Sequence, residues 1–155
     1  MERVDSLSES RTRKKLTKSP RYLFFDLGVR RAAAEEGPRP PARVLGALFE
    51  QFVGLELLRA TRQAEAPLHL RFWRDPDGPE VDWVVVSEDH WLPVEVKWSE
   101  APTVRDARHL ETFLSEYSKA RDAVVVCRTP KPFKLARKIT AVPWQEIPDF
   151  LERLK

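Results

Sequence analysis

Residues 79–98, PEVDWVVVSEDHWLPVEVKW, constrain the fold more than any other part of this chain. They contain two short runs of Val, Trp and Pro in which charged residues recur at every second position, the period of a β-strand. The polar residues 87–90 between the two runs predict a loop. We therefore predict a β-hairpin in which Val86 faces Trp91.

This register sets acidic side chains opposite one another. Asp82 falls opposite Glu95, and Glu80 falls opposite Lys97. Directly opposed residues of an antiparallel pair share a face, with Cβ atoms about 5 Å apart. Two carboxylates at that distance repel, so a fold that keeps them together protonates one, pairs them with a cation or places a metal ion between them. Lys97 lies two residues after Glu95 and therefore points to the same side.

The composition is that of one globular domain. The chain has 155 residues, of which 42% are hydrophobic, enough for a single core. No apolar run approaches the roughly 20 residues needed to cross a bilayer, and the first 15 residues do not resemble a signal peptide. The lone Cys127 cannot form an internal disulfide, so we expect a cytoplasmic setting without membrane contact. We expect residues 1–20 to be a basic flexible arm or the remnant of a preceding domain, and residues 21–155 to be a single domain.

The positive charge is concentrated in two segments. Residues 1–21 carry a net charge of +4 and residues 128–138 one of +5, while the rest of the chain sums to −6. This pattern predicts contact with a polyanion such as DNA, although a solvated tail and a charged loop would give the same pattern. The candidate nucleic-acid-binding residues are Arg13, Lys14, Lys15, Lys18, Arg105, Arg108, Lys131, Lys134, Arg137 and Lys138.

Residues 22–26 predict a short aromatic strand or the entry to a helix, ended by Gly28, although a simple core segment is an alternative. After a loop at residues 35–41, a long amphipathic helix is predicted over residues 42–61. Glu50 lies at the edge of the apolar face of this helix, between Gly46 and Gly54. Two glycines on one stripe predict the close approach of another backbone or a ligand, which would bring Glu50 against the sheet. Glu56, inside the apolar arc, is a competing candidate.

The rest of the chain alternates between strand and helix patterns. A strand at residues 68–74 and a turn at residues 75–79 extend the hairpin to a three-stranded meander. A capping box at residues 103–106 begins a helix that runs to Ser118, and the apolar run 123–127 predicts a buried strand parallel to the one bearing Glu95. A small strand near residues 139–142 and a helix over residues 145–154 complete the prediction.

The layout is a mixed-sheet α/β fold: helix, three-stranded antiparallel meander, helix, parallel strand. With Glu50 on the helix, Asp82 on one strand and Glu95-Val96-Lys97 on the next, the chain resembles the PD-(D/E)XK nuclease superfamily, which has a restriction-endonuclease-like core. It is more closely similar to the domain of unknown function found C-terminal to AAA-type ATPase domains in bacteria and archaea. The blocks KSPRYLFFDLGV, GALFEQFVGLEL, FWRDPDGPEVDWVV and LPVEVKWS carry this resemblance.

The resemblance implies a Mg²⁺ site, with Mn²⁺ as a substitute. Asp82, Glu95 and the backbone carbonyl of Val96 would bind the ion, and Glu50 would reach it directly or through a water. Lys97 would orient or help to deprotonate the attacking water and offset charge on the phosphate. Asp82, Glu95, Lys97 and Glu50 are thus the candidate catalytic residues.

Two further residues are expected to assist, namely Glu80 and Tyr117. In some relatives a Gln-x-x-x-Tyr motif on the second helix supports the site, but here Phe113 stands at the Gln position ahead of Tyr117.

Two functions of different classes follow. The first is a Mg²⁺-dependent nuclease, an endonuclease or exonuclease that hydrolyses DNA phosphodiesters. The second is a catalytically inactive module of the same fold that binds DNA or a partner protein. From the hairpin alone, a salt-bridged strand face, with Glu80 paired to Lys97 and with Asp82 and Glu95 solvated, is an equal alternative.

Other cofactor sites are not indicated. The three histidines lack ligand spacing for zinc, and none of the five glycines is followed by Lys as a Walker A motif requires. An ATPase partner would therefore belong to a longer parent chain or to a separate protein. A homodimer is left open.

Overall fold

The computed structural model describes residues 1–7, 19–75 and 78–152. In chain order, the strands and helices are β1 (Glu2–Val4), β2 (Arg21–Leu23), α1 (Leu27–Ala33), α2 (Ala42–Gln63), β3 (His69–Arg74), β4 (Glu80–Val86), β5 (Trp91–Val96), α3 (Arg108–Glu116), β6 (Ala123–Cys127), β7 (Phe133–Ala136), β8 (Ile139–Pro143) and α4 (Ile147–Glu152). Short 3-10 helices at Val104–Ala107 and Trp144–Glu146 precede α3 and α4.

A mixed sheet runs through the molecule. Within the described residues it has six strands in the order β3-β4-β5-β6-β8-β7. Strands β3, β4 and β5 form the predicted antiparallel meander, β6 lies parallel to β5, and β8 lies parallel to β6. The predicted α/β class and the crossover through α3 are confirmed.

The hairpin has the predicted register. Val86 pairs with Trp91, and the pairing continues to Trp83 and Val94. Ser87 closes the loop, since its backbone N–H and its hydroxyl both donate to the carbonyl of His90, at 2.9 and 2.8 Å. The same register extended by one residue sets Asp82 across from Glu95.

Helices cover both faces of the sheet. Val124 and Val126 of β6 belong to an apolar cluster with α2 and α4, whereas the intervening Val125 belongs to a second cluster with α3. Strands β4 and β5 are therefore buried on both faces. No helix in the described part of the chain is long and apolar enough to cross a membrane.

Gly54 lets α2 approach the sheet closely, as predicted. A Cβ atom at Gly54 would lie 2.6 Å from Cζ2 of Trp83, whose side chain is 1% exposed and donates from Nε1 to the carbonyl of Glu50 at 3.2 Å. Gly46 has open space around it, so the prediction is wrong there. The contact at Gly54 brings the Glu50 turn of α2 against β4.

Gly54→Ala is expected to lower the free energy of unfolding by about 1–3 kcal/mol, because the Trp83 ring is fixed by packing and by its hydrogen bond. Gly46→Ala on the same helix is the matched control and is expected to stabilise by up to about 1 kcal/mol, since alanine favours the helix and meets no neighbour. Urea denaturation of both variants measures the difference. Equal effects at the two positions would contradict the packing argument.

The N-terminal part differs from its prediction. Glu2–Val4 is a strand that pairs antiparallel with Arg21–Leu23, and Ser6 bridges to Phe72 of β3, so a flexible arm is the wrong description for these residues. Backbone pairing with β2 and β3 gives this polar segment a fixed place. Residues 8–18, including Arg13, Lys14, Lys15 and Lys18, lie outside the described residues.

The aromatic segment 22–26 contains the end of strand β2 and the N-cap of α1, as the prediction of a short strand or helix entry requires, but most of its aromatic rings are not in the core. Leu23 is buried, but Tyr22, Phe24 and Phe25 are exposed, Phe25 by 68%. Asp26 caps α1 by accepting hydrogen bonds from the backbone N–H groups of Gly28 and Val29, so Gly28 lies inside the first turn of a helix and does not end the segment. Aromatic content alone did not reveal that these three side chains are exposed.

Three C-terminal details also differ. The capping box is present, with the Thr103 backbone N–H donating to Asp106 at 2.7 Å, but it starts a 3-10 turn. Helix α3 ends at Glu116, before the predicted Ser118. Strand β5 ends at Val96, two residues before Trp98. Residues 133–136, within the basic segment for which a charged loop was one alternative, form edge strand β7 because they pair with β8.

Candidate functional site

Two carboxylates of the central strands are buried. Asp82 of β4 is 8% exposed and Glu95 of β5 is 7% exposed. Asp82 Oδ2 accepts a hydrogen bond of 2.9 Å from the backbone N–H of Val96. The alternative in which both carboxylates are solvated is therefore wrong.

Lys97 is held beside Glu95. Its Nζ lies 2.9 Å from Glu95 Oε1, and its backbone N–H donates to Val126 of β6 at 2.9 Å, which continues the parallel pairing past the end of β5. Within the described residues, Glu80 is paired with arginines: its Oε2 lies 2.6 Å from Arg74 and 3.8 Å from Arg21. The alternative that pairs Lys97 with Glu80 is therefore wrong as well.

Glu95 has one unsatisfied oxygen. Within the described part of the chain, no group donates a hydrogen bond to Oε2, although this atom is buried. A buried carboxylate oxygen without a partner carries a desolvation cost that a cation or a proton would relieve. This oxygen belongs to the same carboxylate that Lys97 contacts through Oε1.

Glu50 reaches the cluster through an arginine that the sequence analysis gave no role. Nη1 of Arg21 lies 2.8 Å from Glu50 Oε1, 3.0 Å from the backbone carbonyl of Asp82 and 4.0 Å from Asp82 Oδ1. The competing candidate Glu56 pairs with Arg59 on the surface of α2. Of the two helix carboxylates, Glu50 is the one the fold brings to the strand carboxylates.

Burial disfavours the charged form of all three carboxylates. Desolvation, followed by the negative charge of Asp82, raises the pKa of Glu50 to about 7 and that of Glu95 to about 8. Desolvation also raises the pKa of Asp82. For Lys97, burial lowers the pKa, but the ion pair and hydrogen bond with Glu95 and the negative charges of Asp82 and Asp106 together outweigh it, so the net pKa is raised. Lys97 therefore stays positively charged, whereas the negative charges of Glu50, Asp82 and Glu95 are only partly offset by neighbouring cations.

A cavity of about 340 Å³ opens beside this cluster. Its walls combine acidic and basic side chains: Glu80, Glu95, Lys97, Arg105, Asp106, Arg108 and His109. The hydrogen bonds of His109 assign its tautomer, because Nε2 accepts from Arg108 Nε and Nδ1 donates to the carbonyl of Glu80, both at 3.1 Å. Arg105 and Arg108 were predicted as nucleic-acid-binding residues from their charge, whereas no role was predicted for His109 because it shows no ligand spacing.

Tyr117 and the second basic segment lie elsewhere. The Tyr117 ring packs against Phe113 and Trp91, and its hydroxyl accepts a hydrogen bond from Trp73 Nε1 at 3.0 Å, which is a core position. The lysines and arginine predicted for nucleic-acid contact in residues 131–138 are exposed: Lys131, Lys134, Arg137 and Lys138.

Asp82 and Glu95 are the carboxylates that a metal ion at this cluster would use. Among the described residues, no group of three or more His, Cys, Asp or Glu side chains is arranged to hold one. The chemistry of the donors nevertheless suits a hard cation, since Asp82 and Glu95 offer oxygens and Glu95 Oε2 has no partner. Glu50 Oε1 accepts from Arg21, whose positive charge opposes a second cation at this carboxylate.

The fold and the cluster define a mixed α/β domain with buried strand carboxylates and an adjacent lysine. Residues 45–147, more than half of the chain, match the family described as Domain of unknown function (DUF4143), and the chain belongs to that family. The matched range includes Glu50, Asp82, Glu95 and Lys97, whereas Arg21 precedes it.

The structure is also similar to a solved one. It matches a chain in the refined half-complex from a tetradecameric assembly of Thermococcus gammatolerans McrB AAA+ hexamers with bound McrC, with a TM-score of 0.50 and 17% identity. The match covers 71% of the present chain and 33% of the other, so the present chain spans about a third of its length. At this identity the similarity extends to the fold alone. A comparison with curated proteins gave no match.

Proposed function

We propose that this domain is a Mg²⁺-dependent nuclease of PD-(D/E)XK type that hydrolyses phosphodiester bonds of DNA. One observation carries the proposal: the buried Glu95 carboxylate has an unpartnered oxygen on one side and the Lys97 ammonium on the other, next to buried Asp82. A salt-bridged structural pair would leave neither a spare buried oxygen nor a second buried carboxylate beside it.

Asp82, Glu95 and the Val96 carbonyl would hold the ion, with Glu50 joining once Arg21 has moved. When bound, Mg²⁺ supplies a Lewis acid that polarises a phosphoryl oxygen and activates water. Lys97 has a raised pKa, so its role is to orient water and to offset phosphate charge, and deprotonation of the water by Lys97 is disfavoured. Burial of the two carboxylates limits the water that competes for the site.

The cavity supports DNA as the substrate. Arg105 and Arg108 line it together with Glu95 and Lys97, and guanidinium groups bind phosphate oxygens in a bidentate manner. The exposed cations of residues 131–138 would add sequence-independent contacts to the backbone of the strand.

A second function is favoured by Arg21. The Arg21 guanidinium contacts Glu50 and Asp82. Such a contact is expected in a domain where an internal cation has replaced the metal ion and whose function is only to bind DNA or protein. Such a module would bind DNA in a salt-dependent manner that survives Asp82→Ala and weakens when the charges of residues 128–138 are removed.

We also propose an AAA+ ATPase as the partner, on a longer parent chain or as a separate protein. The similarity of fold to a chain in an assembly of AAA+ hexamers supports this.

The nuclease proposal is tested by incubating the chain with supercoiled, linear and branched DNA in Mg²⁺ or Mn²⁺. We expect cleavage that EDTA stops and that Asp82→Asn reduces to background, because asparagine keeps the shape of the side chain but loses a charged ligand. DNA left intact by the wild-type chain, or cut equally by Asp82→Asn, would contradict the proposal.

A further inference from the structure

Arg21 holds the central cationic position in the acidic cluster. Its guanidinium contacts Glu50 at 2.8 Å, Glu80 at 3.8 Å and Asp82 at 4.0 Å, so one side chain approaches three carboxylates. The Arg21 side chain is only 21% exposed, and its contact with Glu50 is the shortest of the three.

Aromatic rings fix the guanidinium in this position. The Arg21 Cζ atom lies 5.0 Å from the centroid of Phe72 and 5.4 Å from that of Trp83. Cation–π contacts of this kind gain strength when they are shielded from water. The cluster is therefore a built site for a planar cation, held by ring faces and carboxylates together.

The backbone that carries Arg21 lies outside the main sheet. Arg21 begins β2, whose strand partner is β1, with Val4 opposite Arg21. This two-stranded unit joins the edge strand β3 through a bridge between Ser6 and Phe72 and through a 2.7 Å hydrogen bond from the Leu7 backbone N–H to Phe72. Arg21 thus enters the site from a separate element, and its side chain can leave without breaking the pairing of β4 with β5.

Glu50 cannot serve two cations through one oxygen. The Oε1 atom that accepts from Arg21 at 2.8 Å would be shared with a divalent ion only by bringing two positive centres into contact, which repel. An ion on the other Glu50 oxygen, as proposed for Glu95 Oε2 beside Lys97, would still place its charge close to the Arg21 guanidinium, so Arg21 and a divalent cation oppose each other at Glu50.

We propose that Arg21 is an internal competitor for the divalent cation: its guanidinium occupies Glu50 when the ion is absent, and ion binding expels it from the cluster. The affinity for the ion is then set by the free energy needed to release Arg21 from Glu50, Phe72 and Trp83. The inference rests on the cation site of the proposed function but not on DNA cleavage.

The test is Mn²⁺ binding to the full chain, measured by calorimetry and electron paramagnetic resonance. Arg21→Gln is expected to bind Mn²⁺ at least about tenfold more tightly than the wild type, because no cation has to be displaced. The matched control is Arg62→Gln, which removes the 2.6 Å pair between Arg62 and Glu2 of β1, on the same N-terminal unit but away from the carboxylates, and should bind as the wild type does. Equal or weaker binding by Arg21→Gln would overturn the proposal.

A second measurement uses the wild-type chain and does not depend on how the variant folds. The side-chain Nε–H resonance of Arg21 is expected to shift on titration with diamagnetic Mg²⁺, whereas that of Arg62 stays in place. An Arg21 resonance that is unchanged at saturating Mg²⁺ would overturn the proposal.

The outcomes separate this inference from the proposed function. Tighter binding by Arg21→Gln without any DNA cleavage would support the competition and contradict the nuclease. Cleavage by the wild type with unchanged Mn²⁺ affinity in Arg21→Gln would support the nuclease and contradict the competition. Absence of binding in both proteins would overturn both.

Discussion

Replacing Lys97 with methionine is expected to slow DNA cleavage by about 100- to 1,000-fold, the usual effect of removing one positioned donor from a charge-stabilising site. Methionine keeps an unbranched side chain of similar length but has no ammonium group next to Glu95 Oε1. Because Lys97 contributes charge and is not an ion ligand, Mn²⁺ binding is expected to survive. The measurement is single-turnover cleavage at saturating Mn²⁺, together with Mn²⁺ titration of the same variant.

Two controls sharpen this prediction. Lys119→Met makes the same chemical change at an exposed lysine that contacts the Glu88 carbonyl and the Trp91 ring, outside the cavity, and should leave the cleavage rate unchanged. Lys97→Arg retains a cation and should recover part of the rate. Cleavage by Lys97→Met at the wild-type rate would refute the assigned role.

The central hairpin could be predicted because the residues that determine it lie close together in the sequence. Four polar residues join two runs of period two, so pairing Val86 with Trp91 fixes every other pair, including the approach of Asp82 to Glu95. The parallel placement of β6 followed from a general rule on crossovers and from the continuous apolar run 123–127. Gly54 likewise marked the contact between helix and sheet that positions Glu50.

The cation of the site could not be predicted, because its position depends on contacts distant in sequence. Arg21 lies 29 residues before Glu50 and 61 before Asp82, and no periodic pattern relates them. Its only signal was its position inside the block KSPRYLFFDLGV, which supplied a resemblance but no role. β7 was missed for a related reason, since its pairing with β8 rather than its own residues makes it a strand.

Buried charge explains why the cluster needs its arginine and lysine. Strands β4 and β5 are covered on both faces, so the carboxylates of Asp82 and Glu95 lose hydration that only neighbouring cations, an ion or protons can replace. Protonation, pairing with a cation and a bound metal ion were predicted as alternatives for the opposed carboxylates. The structure shows pairing with cations, and burial also raises the pKa of Asp82 and Glu95, which favours their protonation.

The stability of the chain is accordingly expected to rise by on the order of 2 kcal/mol when the pH is lowered from 8 to 6 without divalent ions. Glu95 has its pKa raised from 4.5 to about 8 in the folded state and Glu50 to about 7, so between these values the folded chain binds more protons than the unfolded chain. Stability then increases as the pH falls through the folded pKa, and the gain is complete below the unfolded value. Glu95→Gln, which cannot ionise, should lose most of this dependence, whereas Glu88→Gln in the exposed hairpin loop should keep it.

Urea denaturation of the three proteins at both pH values measures the effect. The difference between wild type and Glu95→Gln is the decisive quantity, because the contributions of all other ionisable groups are common to both proteins and cancel. Saturating Mg²⁺ at pH 8 should restore to the wild type the stability that protonation restores at pH 6, since the ion and the proton relieve the same buried charge. A wild-type stability that is flat or falls from pH 8 to 6, or a Glu95→Gln variant with the full dependence, would show that Glu95 is already neutralised by Lys97 and needs no further cation.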